Sequence, residues 1–197
     1  MKKLLFFVFV TGLAFVSCQT QTKESTTDME NPFFKEWNTP FGVPPFDEIK
    51  VEHFVPAVKE GIKEQEAEIE AIVNNSEEPT FENTILAFDK SGALLSKVNG
   101  VFGPLSSAVT NEEMQVVARE LSPIRTAHRN NIAMNAGLFK RIKAVYDKRN
   151  ELNFDQEQMR VVEKFYEDFE RGGANLSAED QAKFKEISIE LSGLYLK

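Results

Sequence analysis

From residue 51 almost to the end of the chain, apolar positions recur at helical spacing. Val55, Val58, Ile62, Ile69, Ile72 and Val73 share one face with Glu and Lys between them, which predicts an amphipathic helix ending near Asn74-Asn75. Pro56 falls in its first turn, where a missing N–H costs little. Thr80 reads as an N-cap, with Glu82 well placed against the helix dipole. Phe81, Ile85, Phe88, Leu95, Val98, Phe102 and Leu105 then stay in phase, predicting one long helix that stops around Thr110. Gly92, Gly100 and Gly103-Pro104 lie inside it and are expected to permit close helix approach or a bend.

Asn111, Glu112 and Glu113 open a further helix through Met114, Val117, Leu121, Ile124, His128 and Ile132, with a kink predicted at Pro123. Asn135 caps a shorter one bearing Leu138, Phe139, Ile142, Val145 and Tyr146. Asp155 and Gln158 resemble a capping box ahead of Met159, Val162, Phe165, Tyr166 and Phe169, closed by Gly172-Gly173. Ser177 and Asp180 head the last helix, with Phe184, Ile187, Leu191 and Leu194 as its apolar positions. There is no strand alternation of useful length and no repeat of fixed period. The expected fold is all-α, a bundle of about six helices with antiparallel neighbours where loops are short.

The first fifty residues obey different rules. Lys2 and Lys3 precede an apolar run from Leu4 to Val16, followed by small Ser17, the layout of a signal peptide over residues 1–17. Cys18 stands where a bacterial lipobox has its acylated cysteine, although Phe15 occupies the position at which that pattern usually has Leu. Lipidation at Cys18 is therefore expected, with ordinary cleavage beside an incidental cysteine as the alternative. Residues 18–30 are Thr-, Gln- and Glu-rich and read as a disordered tether. From Asn31 to Phe46, Pro32, Pro40, Pro44 and Pro45 exclude regular helix, while Phe33, Phe34, Trp37, Phe41 and Phe46 call for burial. That combination predicts an extended arm lying across the helices.

Composition narrows the function classes. The 197 residues, 42% hydrophobic and 27% charged, are those of a globular protein. Seventeen Phe against three Tyr and one Trp predict mostly buried rings. A net charge of −8 without a basic stripe argues against nucleic acid as a partner. One cysteine allows no internal disulfide, and two histidines far apart, His53 and His128, offer no zinc-binding spacing. The reading thus places no catalytic and no metal-binding residue in this chain. His53, at a helix start, is expected to cap or face solvent, and His128 to be packed and hydrogen-bonded. Glu64, Glu66, Glu68 and Glu70 read as a solvated helix face.

Several phrases resemble the N-terminal half of the zinc metallopeptidases of the thimet oligopeptidase, peptidyl-dipeptidase Dcp and oligopeptidase A family. They include Asn31-Pro32-Phe33-Phe34, Pro44-Pro45-Phe46-Asp47-Glu48-Ile49, His53-Phe54-Val55-Pro56-Ala57, Pro79-Thr80-Phe81-Glu82-Asn83-Thr84-Ile85, Leu138-Phe139-Lys140-Arg141-Ile142 and Arg171-Gly172-Gly173-Ala174, in shared order over residues 31–197. The resemblance implies one lobe of a larger helical peptidase whose two lobes flank a deep channel that admits short peptides. It implies zinc held by a His-Glu-x-x-His helix and a downstream glutamate, none of which this chain contains. Residues 31–197 are accordingly expected to be a helical N-terminal lobe incomplete at its C-terminus, inactive alone, with the catalytic lobe of the same polypeptide as partner. The helix running to Lys197 without a stop signal fits that expectation. The alternatives are a stand-alone helical cell-envelope lipoprotein acting as a binding or scaffold module, and an inactive remnant of a truncated gene. Export to the bacterial cell envelope, as a periplasm-facing lipoprotein, is expected.

Overall fold

The computed structural model describes residues 31–195; the signal segment, Cys18 and the tether lie outside them. The fold is all-α, with six helices of twelve residues or more and no strand among the described residues. α1 spans Phe54–Val73, entered through a 3-10 turn at Val51–His53. A widely wound π turn, Phe81–Leu86, continues into the single turn α2, Ala87–Lys90. α3 (Ala93–Ala108), α4 (Glu112–Ala133), α5 (Ala136–Asp147), α6 (Gln156–Arg171) and α7 (Ala178–Leu194) follow.

The predicted caps hold most of these boundaries in place. Thr80, Asn111, Asn135, Asp155 and Ser177 each accept a hydrogen bond from a backbone N–H of the first turn they precede, satisfying donors that no helical carbonyl can reach. Gly173, at φ 93°, supplies the left-handed residue after α6. α4 runs unbroken past Pro123.

One expected helix is two. The run from Phe81 to Thr110 breaks at Ser91-Gly92, because Gly92 adopts a left-handed φ of 73°. Two side chains of α1 grip the break: Glu68 Oε2 accepts from the Gly92 N–H at 2.7 Å, and Gln65 Nε2 donates to Ser91 Oγ at 3.2 Å. Gly92 is therefore the expected bend. Gly100 and Gly103, in contrast, face open space and permit no close approach. That role falls to Gly61 on α1, where a Cβ would sit 2.9 Å from the backbone nitrogen of Leu95 on α3.

Two apolar clusters form the interior. The first joins Phe33 of the arm to Phe54, Ala57 and Val58 of α1, Val98, Val101 and Phe102 of α3, and Met114 and Leu121 of α4. The second joins Ile69 and Ile72 of α1 to Ile85, Leu138, Phe139, Ile142 and Val145, and to Val162 and Phe169 of α6. α1 thus contributes its N-terminal half to one cluster and its C-terminal half to the other.

The arm obeys its expectation only in part. Phe33 is buried against Phe54, and the Trp37 indole N–H donates to Pro32 O at 3.0 Å. Lys97 fastens it from α3, donating to the carbonyls of Phe33 and Lys35 at 3.0 and 2.6 Å. Phe41 and Phe46 nevertheless remain in solvent, and so does part of Phe34. Phe41 lies in the tight turn Pro40–Gly42 with φ 60°, which turns its ring outward instead of toward a helix.

α7 packs chiefly on α4, and none of its residues is fully buried. Ile187, Leu191, Leu194 and Tyr195 form a stripe at helical spacing that is 64%, 47%, 52% and 82% exposed. No helix among the described residues is long and apolar enough to cross a membrane.

Candidate functional site

Between the two clusters α1 and α4 meet through polar side chains. His128, on the face of α4 that also carries Leu121, places Nε2 2.8 Å from Gln65 Oε1. Its Nδ1 lies 3.6 Å from the exposed carboxylate of Glu66. Burial pushes the imidazole below its ordinary pKa and outweighs the opposing pull of Glu66, so the ring is neutral near pH 7. Gln65 reaches on to Ser91, whose hydroxyl donates to Phe88 O at 2.8 Å. A continuous chain of hydrogen bonds therefore runs from α4 through α1 to the break before α3. His128 is packed and bonded, as its place on the apolar stripe predicts.

His53 is likewise a cap: its Nδ1 accepts from the Lys50 N–H at 3.0 Å. The Glu64–Glu70 face is exposed as expected, yet Glu66 and Glu68 also serve the contacts just described. Arg141 on α5 is a buried clamp, donating to the carbonyls of Asn75 and Glu77 and to Asn83 Oδ1 at 2.8, 3.2 and 3.1 Å. It closes the C-terminal end of α1 against the turn that begins at Thr80.

Next to His128 a cavity of about 860 Å³ opens between α3, α4, α6 and α7. Phe88, Phe165, Phe169 and Phe184 supply its apolar wall, and Arg125, Asn130 and Asn99 its polar one. Arg125 lies with its guanidinium 4.6 Å from the centre of the Phe102 ring. Its Nε and Nη2 are buried without a hydrogen-bond partner, as is Asn130 Nδ2. Burial pushes the Arg125 pKa below its ordinary value. Sequence reasoning did not single out Arg125. The available signal was its position: an arginine four residues after Leu121 and three before His128 shares their buried face.

A second, more open groove of about 1020 Å³ runs between the arm, α1 and α3. Its lysines are largely engaged: Lys59 with Glu120 at 3.3 Å, Lys63 with Glu60 at 2.8 Å, and Lys97 with backbone carbonyls.

Neither feature resembles a metal centre. Among the described residues no three of His, Cys, Asp and Glu converge to hold an ion. Both histidines use ring nitrogens for contacts within the fold. The donor set here does not fit zinc.

Comparison with known proteins gives this helical scaffold its relatives. No family model matches the chain. It is 40% identical over 164 residues to the dipeptidyl carboxypeptidase of Salmonella typhimurium, a match covering 83% of the chain and 24% of that protein. It is 39% identical over 164 residues to the Escherichia coli dipeptidyl carboxypeptidase, with the same shares of each chain. The Escherichia coli oligopeptidase A is 26% identical over 166 residues, 84% of the chain and 24% of the relative. The chain thus spans about a quarter of the length of the curated relatives it matches, in their N-terminal portion. Its homologues are thus dipeptidyl carboxypeptidases and oligopeptidases A, of the thimet oligopeptidase family, matched through their N-terminal portion.

Proposed function

We propose that this chain acts as the N-terminal helical lobe of an exported, zinc-dependent oligopeptidase or peptidyl-dipeptidase that hydrolyses short peptides. The observation that carries the reading is the 40% identity to a dipeptidyl carboxypeptidase over 83% of the chain. The described residues offer zinc no ligand set, so the contribution of the lobe is steric. Its helices wall one side of a channel and limit which peptides enter, while residues outside this stretch hold the metal and cleave the peptide bond. The exposed stripe Ile187, Leu191, Leu194 and Tyr195 supports this role, since a row of large apolar side chains on one helix face is the usual surface between packed lobes.

Export rests on Lys2, Lys3 and the apolar run from Leu4 to Val16, and anchoring rests on a lipid at Cys18. On this reading the enzyme faces the periplasm from the cell envelope. Labelled fatty acid should enter the wild-type chain and not a Cys18→Ser variant.

A chimera tests the lobe assignment. Residues 31–195 replace the corresponding N-terminal stretch of the Salmonella typhimurium dipeptidyl carboxypeptidase, and peptide hydrolysis is assayed with zinc. Retained zinc-dependent cleavage is expected from the chimera, and none from the 197-residue chain alone. A folded but inert chimera would sink the lobe assignment. Zinc-dependent hydrolysis by the chain alone would sink the division of labour.

A further inference from the structure

Arg125 has no obvious reason to be where it is. A guanidinium carries five N–H donors and a permanent charge, and withdrawing it from water without a counter-charge is expensive. The other basic groups near the two cores hold acceptors: Arg141 donates to two carbonyls and an amide oxygen and leaves only Nε unpaired, and half-buried Lys97 donates to two carbonyls. Arg125 has only the face of Phe102, and two of its nitrogens are buried unpaired. No ion pair to it occurs among the described residues.

The surroundings extend the pattern. Asn130 is 4% exposed with its amide nitrogen unpaired, so the wall around Arg125 is rich in unused donors. Asp168, the carboxylate on the cavity lining, is occupied by Lys164 one turn earlier on α6. Across the space stand Phe88, Phe165, Phe169 and Phe184. A volume of about 860 Å³ lies within the range of sites for small organic ligands.

The geometry points to a binding site for a small monocarboxylate with an aromatic or bulky aliphatic body, its carboxylate on Arg125 and its body among the phenylalanines. A carboxylate accepts two parallel N–H bonds from a guanidinium in one plane. It brings a single charge to a site whose one half-buried cation is Arg125, whereas a phosphate dianion would bring an uncompensated second charge into an aromatic-walled space. Arg129, exposed one turn further along α4, stands on the same lining and favours entry of an anion. Two sources share this chemistry: the free C-terminus of a short peptide, and a non-peptide acid. The site does not require the peptidase reading, because it is built wholly from residues of this chain.

Calorimetric titration of the purified full chain tests it with three probes: N-acetyl-alanyl-phenylalanine, the C-terminal amide of that peptide, and 3-phenylpropionate. The peptide acid should bind roughly tenfold or more tightly than its amide, the difference expected for hydrogen bonds to a charged group. Arg125→Gln should erase that ratio. Because Arg125 also packs on Phe102, Asn99→Asp, on the solvent-accessible α3 side of the cavity wall, serves as the second variant. It should weaken the acid several-fold more than the amide and preserve the circular dichroism spectrum. Phenylpropionate binding as tightly as the peptide acid assigns the site to carboxylate and arene alone; binding tenfold weaker assigns it to peptide C-termini. Equal affinities for acid and amide, no binding of any probe, or acid binding untouched by both variants would each overturn the site and leave Arg125 as a residue solvated by water.

Discussion

α6 and α7 are consecutive helices of 16 and 17 residues, each starting at a side-chain cap, yet they are held by different forces. α6 sinks Val162 and Phe169 into the second core, where Phe169 stacks on Phe139 at 5.9 Å and meets Phe88 at 5.7 Å. α7 turns Ile187, Leu191 and Leu194 outward, keeps Phe184 on the cavity wall, and is tied to its neighbours by polar contacts. Ser122 Oγ donates to Ser192 O at 3.1 Å, Lys185 reaches Asn131 at 3.0 Å, and Gln181 donates to Gly173 O at 3.1 Å. Capping defines where a helix begins; burial of an apolar stripe decides whether the rest of the molecule depends on it.

The contrast can be broken most severely from the α6 side. Phe169→Ala, which empties a site 4% exposed, should cost about 3–5 kcal/mol in chemical denaturation. Gly61→Ala strikes the same anchored body from α1 and should cost about 1–3 kcal/mol, since the new methyl meets the α3 backbone and forces the helices apart. Ser122→Ala removes one bond to α7. It should change global stability by no more than about 1 kcal/mol while speeding amide exchange within α7 and not within α6.

Acid sharpens the comparison further. The native His128 binds its proton at lower pH than an unfolded histidine does. Its contribution is therefore complete above the ordinary value of about 6.5 and is lost as pH falls toward and through the lowered native value. Melting temperatures measured from pH 8 to pH 5 should fall more steeply for the wild type than for His128→Gln. The smallest effect belongs to the outer stripe of α7. Ile187→Gln should leave stability within about 0.5 kcal/mol and reduce any self-association seen by light scattering.

The residues that made the helices legible are local. Asn111, Asn135, Asp155 and Ser177 announce helix starts by their own side chains, and the structure places each where its spacing predicts. Gly92 was legible as a possible bend, but the full break there was not, because Phe88 and Leu95 stay in helical phase across it; what fixes it is Glu68, 24 positions earlier. Gly61 and Arg125 are of the same kind. One is defined by the backbone of another helix, the other by the ring of Phe102, and no window of sequence contains both partners. The arm misled for a simpler reason. Five aromatics imply burial, but the turn at Pro40–Gly42 aims Phe41 at water whatever its hydrophobicity.

α1 enters both apolar clusters, so neither can dissolve while the other keeps its half of that helix intact. Heat should consequently melt the molecule in one cooperative step and not cluster by cluster. During folding the second cluster has to wait until residues near Leu138 return to Ile69 and Ile72, a long excursion of chain that delays its closure relative to the more local packing of α1 on α3.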